Sequence, residues 1–403
     1  MISKKVRVCI AHPADPCGSI PGGIDTFIRG EIDNAPDDIE YSVIGITTDS
    51  EARPVGKWTR CELSNNVFQF FPANKHEVSA KRPIVPVIVQ YLSKLGPMLN
   101  EVDADVLEIH RIESLLRIRR DSRPVTAVLH QNMQSLYDKQ ADIRWSRWPG
   151  LYFWLEDKLA PRLQSAFCVR EDAAKHYRSR YENLADTCRF QPTWADPRQF
   201  QPPSETERSA ARARVSVDLG LDDDSRWLLM VGRLDAQKNP MLLLAALGEL
   251  VESGQQNVNL LIVGEGQLRS QMEVVINQTG LADRVRFLGL KSTDEVAELM
   301  HTADLFVMSS SYEGMPMAVI EALASGVPVA TTRVGEVALV VHDRVCGRIA
   351  KSHSEEHLTD AISWCLDNLD KISGAPCTQS ASHFSPAVVL ESVYENYRRL
   401  AAT

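Results

Sequence analysis

No segment of the 403-residue chain approaches the roughly 18 consecutive apolar residues that a membrane-spanning helix needs, so no helical span is expected. The apolar run after Met1 stops at His12-Pro13, too soon for a signal peptide, and a cytoplasmic protein is expected. Eight cysteines include no C-x-x-C pair and no matched histidine spacing. Zinc and redox motifs are therefore unsupported, and reduced, mostly buried thiols are expected. No solenoid repeat, low-complexity tract or acidic metal motif is visible. Excess positive charge is also lacking. The formal net charge is −9, with 27 Lys and Arg against 26 Asp and Glu through residue 200 and 17 against 27 beyond it. An acidic second half argues against a general nucleic-acid surface, which needs clustered cations.

What is present is ordinary globular composition, 44% hydrophobic and 24% charged, on a chain long enough to split into two cores. Short β-branched runs at Val6–Ala11, Tyr41–Ile46, Val106–Ile109, Val125–Leu129 and Ala166–Val169 alternate with helical or irregular stretches. The composition changes over 196–225, read as the interdomain connection. The alternation then restarts with strands at Trp227–Val231, Val258–Val263, Val285–Leu288, Asp304–Met308 and Val327–Thr331. This predicts an α/β protein of two doubly wound, Rossmann-like domains facing across a cleft, with ligands at the carboxyl ends of the strands. The expected boundaries are 1–200, 201–384 and a C-terminal segment 385–403. Pro386 is expected to open one last helix, running through Leu400.

The most informative segment is Ser309-Ser310-Ser311-Tyr312-Glu313-Gly314-Met315-Pro316-Met317, continuing to Glu321 and ending at Ser325-Gly326. Pro316 suits a first helical position and Ser325-Gly326 a stop, which places Glu321 on a short helix and Glu313 just ahead of it. Free amides at such a helix start attract phosphate, and carboxylates accept from sugar hydroxyls. Upstream, Val231-Gly232-Arg233-Leu234-Asp235-Ala236-Gln237-Lys238 sets two cations on a loop after a strand, suited to a diphosphate. Ordinary surface cations are the other reading of that pair.

These motifs resemble the retaining glycosyltransferases of family 4, which have the GT-B fold. Arg233 and Lys238 match the family's pyrophosphate-binding pair, Glu313 and Glu321 its E-x7-E motif, and Gly314-Met315-Pro316 its small-x-Pro insert. Gly264-Glu265-Gly266, Phe287-Leu288-Gly289 and Ser325-Gly326-Val327-Pro328-Val329 fall in the family's order. The resemblance is strong over roughly 227–350 and looser before it. It implies that Glu313 contacts the donor sugar and Glu321 the ribose, and that Arg233, Lys238 and the Gly314–Met317 amides hold the diphosphate. Gly264 and Leu290 complete that donor-binding set. The implied donor is UDP- or GDP-linked and the acceptor a saccharide or lipid-linked saccharide. No metal or other cofactor is expected. A nucleotide-sugar epimerase and a binding protein without turnover are the alternatives on this fold.

In the first half, Gly22-Gly23 resembles the family's glycine-rich loop, which approaches sugar and diphosphate; a plain turn is the alternative. His130 follows a strand where the family has a histidine near the reacting sugar, with His110 second in line. Either histidine could instead be structural. Glu108 stands where the family often has a further histidine. A second departure is Val334-Gly335-Glu336-Val337-Ala338-Leu339, where Gly-Gly-x-Pro-Glu is usual. The basic run Arg111, Arg117, Arg119, Arg120 and Arg123 reads as a solvated face or a contact to a membrane surface. Trp145, Trp148, Tyr152, Phe153 and Trp154 read as core packing, sugar stacking or an interface patch.

Overall fold

The computed structural model describes residues 5–18, 23–76, 86–118, 121–130 and 148–403. Gly22, Arg119, Arg120 and Trp145, singled out above, lie outside them. The chain divides into two compact units, Met1–Pro192 with Pro386–Thr403, and Thr193–Ser385.

Among its described residues the first unit has eight strands: β1 (Val6–Ala11), β2 (Ile39–Thr47), β3 (Thr59–Glu62), β4 (Val67–Lys75), β5 (Val106–Ile109), β6 (Val125–Leu129), β7 (Ser165–Cys168) and β8 (Cys188–Phe190). They lie in the order β3-β4-β2-β1-β5-β6-β7-β8, all parallel except the β3–β4 edge pair. Every residue of β5, β6 and β7 is buried, as expected of strands covered on both faces. From β1 the chain builds outward to β4, then returns to place β5 on the other side of β1. The order of winding thus reverses between β1 and β5.

The second unit carries β9 (Arg226–Val231), β10 (Val258–Val263), β11 (Val285–Gly289), β12 (Leu305–Met308), β13 (Val329–Thr331) and β14 (Gly347–Ile349). Its sheet is wholly parallel, in the order β11-β10-β9-β12-β13-β14. This is the doubly wound dinucleotide-binding order, with its reversal between β9 and β12. Two apolar clusters cover its faces. One contains Trp227, Leu229, Phe306 and Val319, the other Leu228, Leu243, Ile262 and Val307.

Within the stretch read as the interdomain connection, the charged segment forms the helix Glu205–Leu219, opened by a Ser204/Glu207 capping box, and lies in the second unit, Thr193–Ser385. Arg208 and Arg212 hold the Asp304 carboxylate, and the Arg212 guanidinium lies 4.2 Å from the Trp227 ring. The last helix is broken at Leu390 into Pro386–Val389 and Glu391–Ala401. Strands β3, β4, β8 and β14 had no counterpart in the sequence reading. β3 is a short, charged and mostly exposed edge strand, Gln69 and Pro72 interrupt the apolar pattern of β4, and β8 and β14 have only three residues each.

All eight cysteines are free and all but Cys17 are buried. Among the described residues, no helix is long and apolar enough to cross a membrane.

Candidate active site

The carboxyl ends of parallel strands leave a crevice where the winding reverses, because neighbouring connections depart to opposite faces. In the second unit this falls between Val231 and Met308. Arg233 and Lys238 follow the first of these, and Ser309 through Glu313 the second.

The loops are tied together by hydrogen bonds. The Ser311 amide donates to Gln237 O (2.8 Å), the Gln237 side chain to Tyr312 O (3.3 Å), and the Ser309 hydroxyl lies 3.0 Å from Lys238 O and Asn239 O. The Thr332 hydroxyl, just past β13, donates to Ser310 O (2.7 Å). Asn239 takes a left-handed conformation, φ 45°, so that the chain can turn into Pro240 and the helix Pro240–Glu252.

These ties bring Lys238 Nζ to 2.6 Å from Glu313 Oε1, and the Ser310 hydroxyl donates to the same oxygen at 2.7 Å. Arg233 is placed differently. Its side chain is 71% exposed and folds back on Asp235 (3.0 Å) and Gln237 (3.0 Å) of its own loop. The two cations expected to act together thus divide into one that is paired with Glu313 and one that faces solvent.

The helix beyond spans Met317–Ala324, with Pro316 as its N-cap rather than its first residue. Met315 is buried in the core with Val319 and Val334, so it can offer a ligand its backbone alone. Glu321 is half-buried among Val319, Ile320, Ala322 and Leu323. Burial pushes its carboxyl up to about 7, while Lys238 draws it down. Gly264 ends β10 at φ 131°, where a Cβ would stand 1.9 Å from Gly232 O, so only glycine lets these strand ends meet. Leu290 lies just past β11 and is 76% exposed. The unusual 334–339 loop also reaches the site: the Glu336 amide donates to Gly314 O (3.1 Å), and a Cβ on Gly335 would stand 2.1 Å from that oxygen.

In the first unit the reversal lies between Ala11 and Ile109, so His12 and His110 stand side by side at strand ends, with ring centroids 5.3 Å apart. His130 follows β6. Its Nε2 lies 3.0 Å from His110 Nδ1, and His110 Nε2 lies 2.8 Å from Glu108 Oε1. The sequence offered His130 and His110 separately; the fold makes them one chain. Gly23 opens the helix Gly23–Asp33, which carries Phe27, whose ring packs edge-on to His130 at 5.1 Å, and buried Glu31. The hydroxyl of Tyr397, from the C-terminal helix, lies 2.6 Å from Glu31 Oε1 and contacts Glu108 Oε2; Tyr41 donates to Glu31 Oε1 at 2.7 Å.

Loss of hydration pushes Glu31 up to about 8 and Glu108 to about 7, and holds His110 down at about 4. Glu31, Glu108 and His110 bring one ligand atom each within 4.8 Å of one another, as a metal site would. Tyrosine hydroxyls already contact both carboxylates, so the three fit a proton-sharing cluster. Sequence reading missed Glu31, Tyr41, Tyr397 and His12. The available signal was a glutamate on the apolar face formed by Phe27, Ile28 and Ile32.

Residues 212–373 match the family model of the glycosyl transferases group 1. The fold is GT-B. Among solved GT-B structures, the sucrose-phosphate synthase of Thermosynechococcus elongatus is similar with a TM-score of 0.79 and 18% identity, covering 99% of this chain and 100% of that one. HepE of Anabaena, solved with UDP-glucose, has a TM-score of 0.71 and 16% identity, covering 97% and 99%. An uncharacterized glycosyltransferase of Methanocaldococcus jannaschii is 32% identical over 151 residues, 38% of this chain and 37% of its own. The D-inositol 3-phosphate glycosyltransferase of Mycolicibacterium smegmatis is 30% identical over 197 residues, 48% and 43%. The chain thus spans about half or less of the length of these curated relatives.

Proposed function

We propose that this protein is a retaining glycosyltransferase of family 4 that moves a hexosyl group from a UDP- or GDP-sugar to a saccharide or lipid-linked saccharide. The observation that carries this reading is the Lys238–Glu313 pair at the strand reversal, with Glu321 eight residues further on. In this reading Glu313 accepts from hydroxyls of the donor sugar, and Lys238, already beside it, meets the diphosphate. Arg233 swings from Asp235 onto the phosphates, where its planar fork fits two oxygens. The Gly314–Met317 amides add a further positive edge, and charge growing on the leaving group is met by groups already in place. Glu321 takes the ribose hydroxyls, and Gly264 and Leu290 border the nucleoside.

The acceptor hydroxyl attacks on the face from which the diphosphate leaves, and the departing phosphate takes its proton. By the family resemblance, His130 hydrogen-bonds the transferred sugar, and Gly22 and Gly23 belong to the loop that approaches the sugar and diphosphate. Two cations and the helix-start amides carry the diphosphate charge, so activity is expected to persist in a chelator. Trp148, Leu151 and Trp154 are exposed at one end of the helix Pro149–Leu159. With Arg111 and Arg117 they suit a peripheral contact with an anionic membrane holding a lipid-linked acceptor.

The similarity to HepE, solved with UDP-glucose, supports starting with UDP-sugars. A thermal-shift screen of UDP- and GDP-sugars, followed by NMR assignment of the product anomer, tests the reading. A retained anomer is expected. An inverted product would refute retention, and no transfer or donor hydrolysis across a broad donor and acceptor panel would refute catalysis.

A further inference from the structure

Behind His130 runs a buried chain of groups. Glu31, Glu108 and Tyr397 are buried, His110 is 3% exposed, and the polar atoms connect in sequence from Tyr41 through Glu31, Tyr397, Glu108 and His110 to His130. Tyr397 has one proton and meets two carboxyls, so one of those carboxyls must itself be protonated and donate to the phenol oxygen. The Oε1 atom of Glu31 meets both Tyr41 and Tyr397, whereas its Oε2 is buried with no partner among the described residues, so a proton on Oε1 satisfies the most groups. Tyr397 then donates to Glu108 Oε2, and Glu108 Oε1 is left as a pure acceptor facing His110 Nε2.

That direction fixes everything downstream. His110 must carry its proton on Nε2 to donate to Glu108, so its Nδ1 is a lone pair. His130, 3.0 Å away, must then donate from its own Nε2. The remaining ring nitrogen of His130, Nδ1, is unprotonated. We propose that Glu108 is a positioning residue which, through His110, holds His130 as the Nε2–H tautomer, so that His130 offers Nδ1 as an acceptor to a hydroxyl of the ligand. The physical logic is that of any buried carboxylate that orients an imidazole: the hydrogen bond on one nitrogen decides what the other can do. Among the described residues, the other charged or titratable groups acting on the two rings are His12, Asp25, Glu31 and Arg111. Low histidine pKa values, from burial, keep both rings neutral so that the tautomer is well defined.

The inference rests on the transferase reading only for what the hydroxyl belongs to; the tautomers can be read whether or not transfer occurs. Full-length protein with ¹⁵N-labelled histidine, assigned with His110→Gln and His130→Gln, reports protonation at each ring nitrogen by NMR at neutral pH. Both rings are expected as Nε2–H. Finding either as Nδ1–H overturns the proposal. In Glu108→Ala, His130 should become a tautomer mixture and turnover should fall about tenfold, the worth of one hydrogen bond, with donor KM little changed. Glu108→Gln, whose carbonyl can still accept from His110, should restore both the tautomer and most of the rate. A folded Glu108→Ala protein with unchanged His130 tautomer would also overturn it. Should Glu108→Ala not fold, the wild-type and Glu108→Gln spectra decide. A wild-type protein with the expected tautomers but no transfer would sink the functional reading alone.

Discussion

Lys238 and Glu313, 75 positions apart in sequence, meet at 2.6 Å where β9 and β12 run side by side and their connections part to opposite faces. Both side chains are largely shielded, 20% and 9% exposed, and Ser310 donates to the same Glu313 oxygen. A donor sugar entering here would find its acceptor carboxylate and its cation already assembled.

Replacing either member should therefore harm activity far more than folding. Lys238→Ala and Glu313→Ala are expected to lower turnover by roughly 100-fold or more, in line with loss of a transition-state charge partner, while Tm moves by only a few degrees. Parallel kinetics and thermal melts check this. Equal losses of fold and rate would assign the pair a structural role.

Glu321 makes a pH-dependent prediction. Burial raises its carboxyl to about 7, so the carboxylate that can accept two ribose hydroxyls predominates only above that pH. Affinity for an intact nucleotide-sugar should rise as pH increases through about 7. Glu321→Gln should weaken binding about tenfold and flatten that dependence. Titration calorimetry at several pH values measures both, and a wild-type affinity that ignores pH would contradict the assignment.

Stability should also respond to pH, through the first unit. Glu31 at about 8 and Glu108 at about 7 both lie above the ordinary 4.5, so the folded protein keeps protons that the unfolded chain has lost. Their contribution is fully present below about 4.5 and is lost as pH rises through about 8. His110, held at about 4, acts with the opposite sign, but only below its ordinary 6.5. Above about 6.5 the carboxylates dominate, and Tm should fall with rising pH by the equivalent of roughly 1 kcal/mol per pH unit for each proton. Glu31→Gln should flatten the decline; melts across the range decide.

Gly264 and Gly335 let backbone segments approach each other in the second unit. Gly264→Ala would drive a Cβ to within 1.9 Å of Gly232 O at φ 131°, and Gly335→Ala to 2.1 Å from Gly314 O at φ 48°. Each is expected to cost about 1–3 kcal/mol and to weaken donor binding by shifting the loops that carry Lys238 and Glu313. Denaturant unfolding together with donor titration tests this. Unchanged donor affinity in a folded Gly335→Ala protein would separate the 334–339 loop from the site.

The sequence by itself determined the two-unit α/β architecture, because fully covered parallel strands must be short, continuous apolar runs. β1, β5, β6 and β10 fall on the residues that pattern predicts. It also marked Glu313, Glu321, Arg233 and Lys238, since chemistry local to a strand–loop–helix junction is written in consecutive residues. Strands β3 and β4 escaped it, β3 being short, charged and mostly exposed and β4 being interrupted by Gln69 and Pro72. Only the tertiary structure decided that Lys238 rather than Arg233 pairs with Glu313, because that depends on which strands become neighbours. The same holds for the chain from Glu31 through Tyr397 and Glu108 to His130. Its members come from four separated segments, and their protonation follows from burial together, which no local pattern of residues encodes.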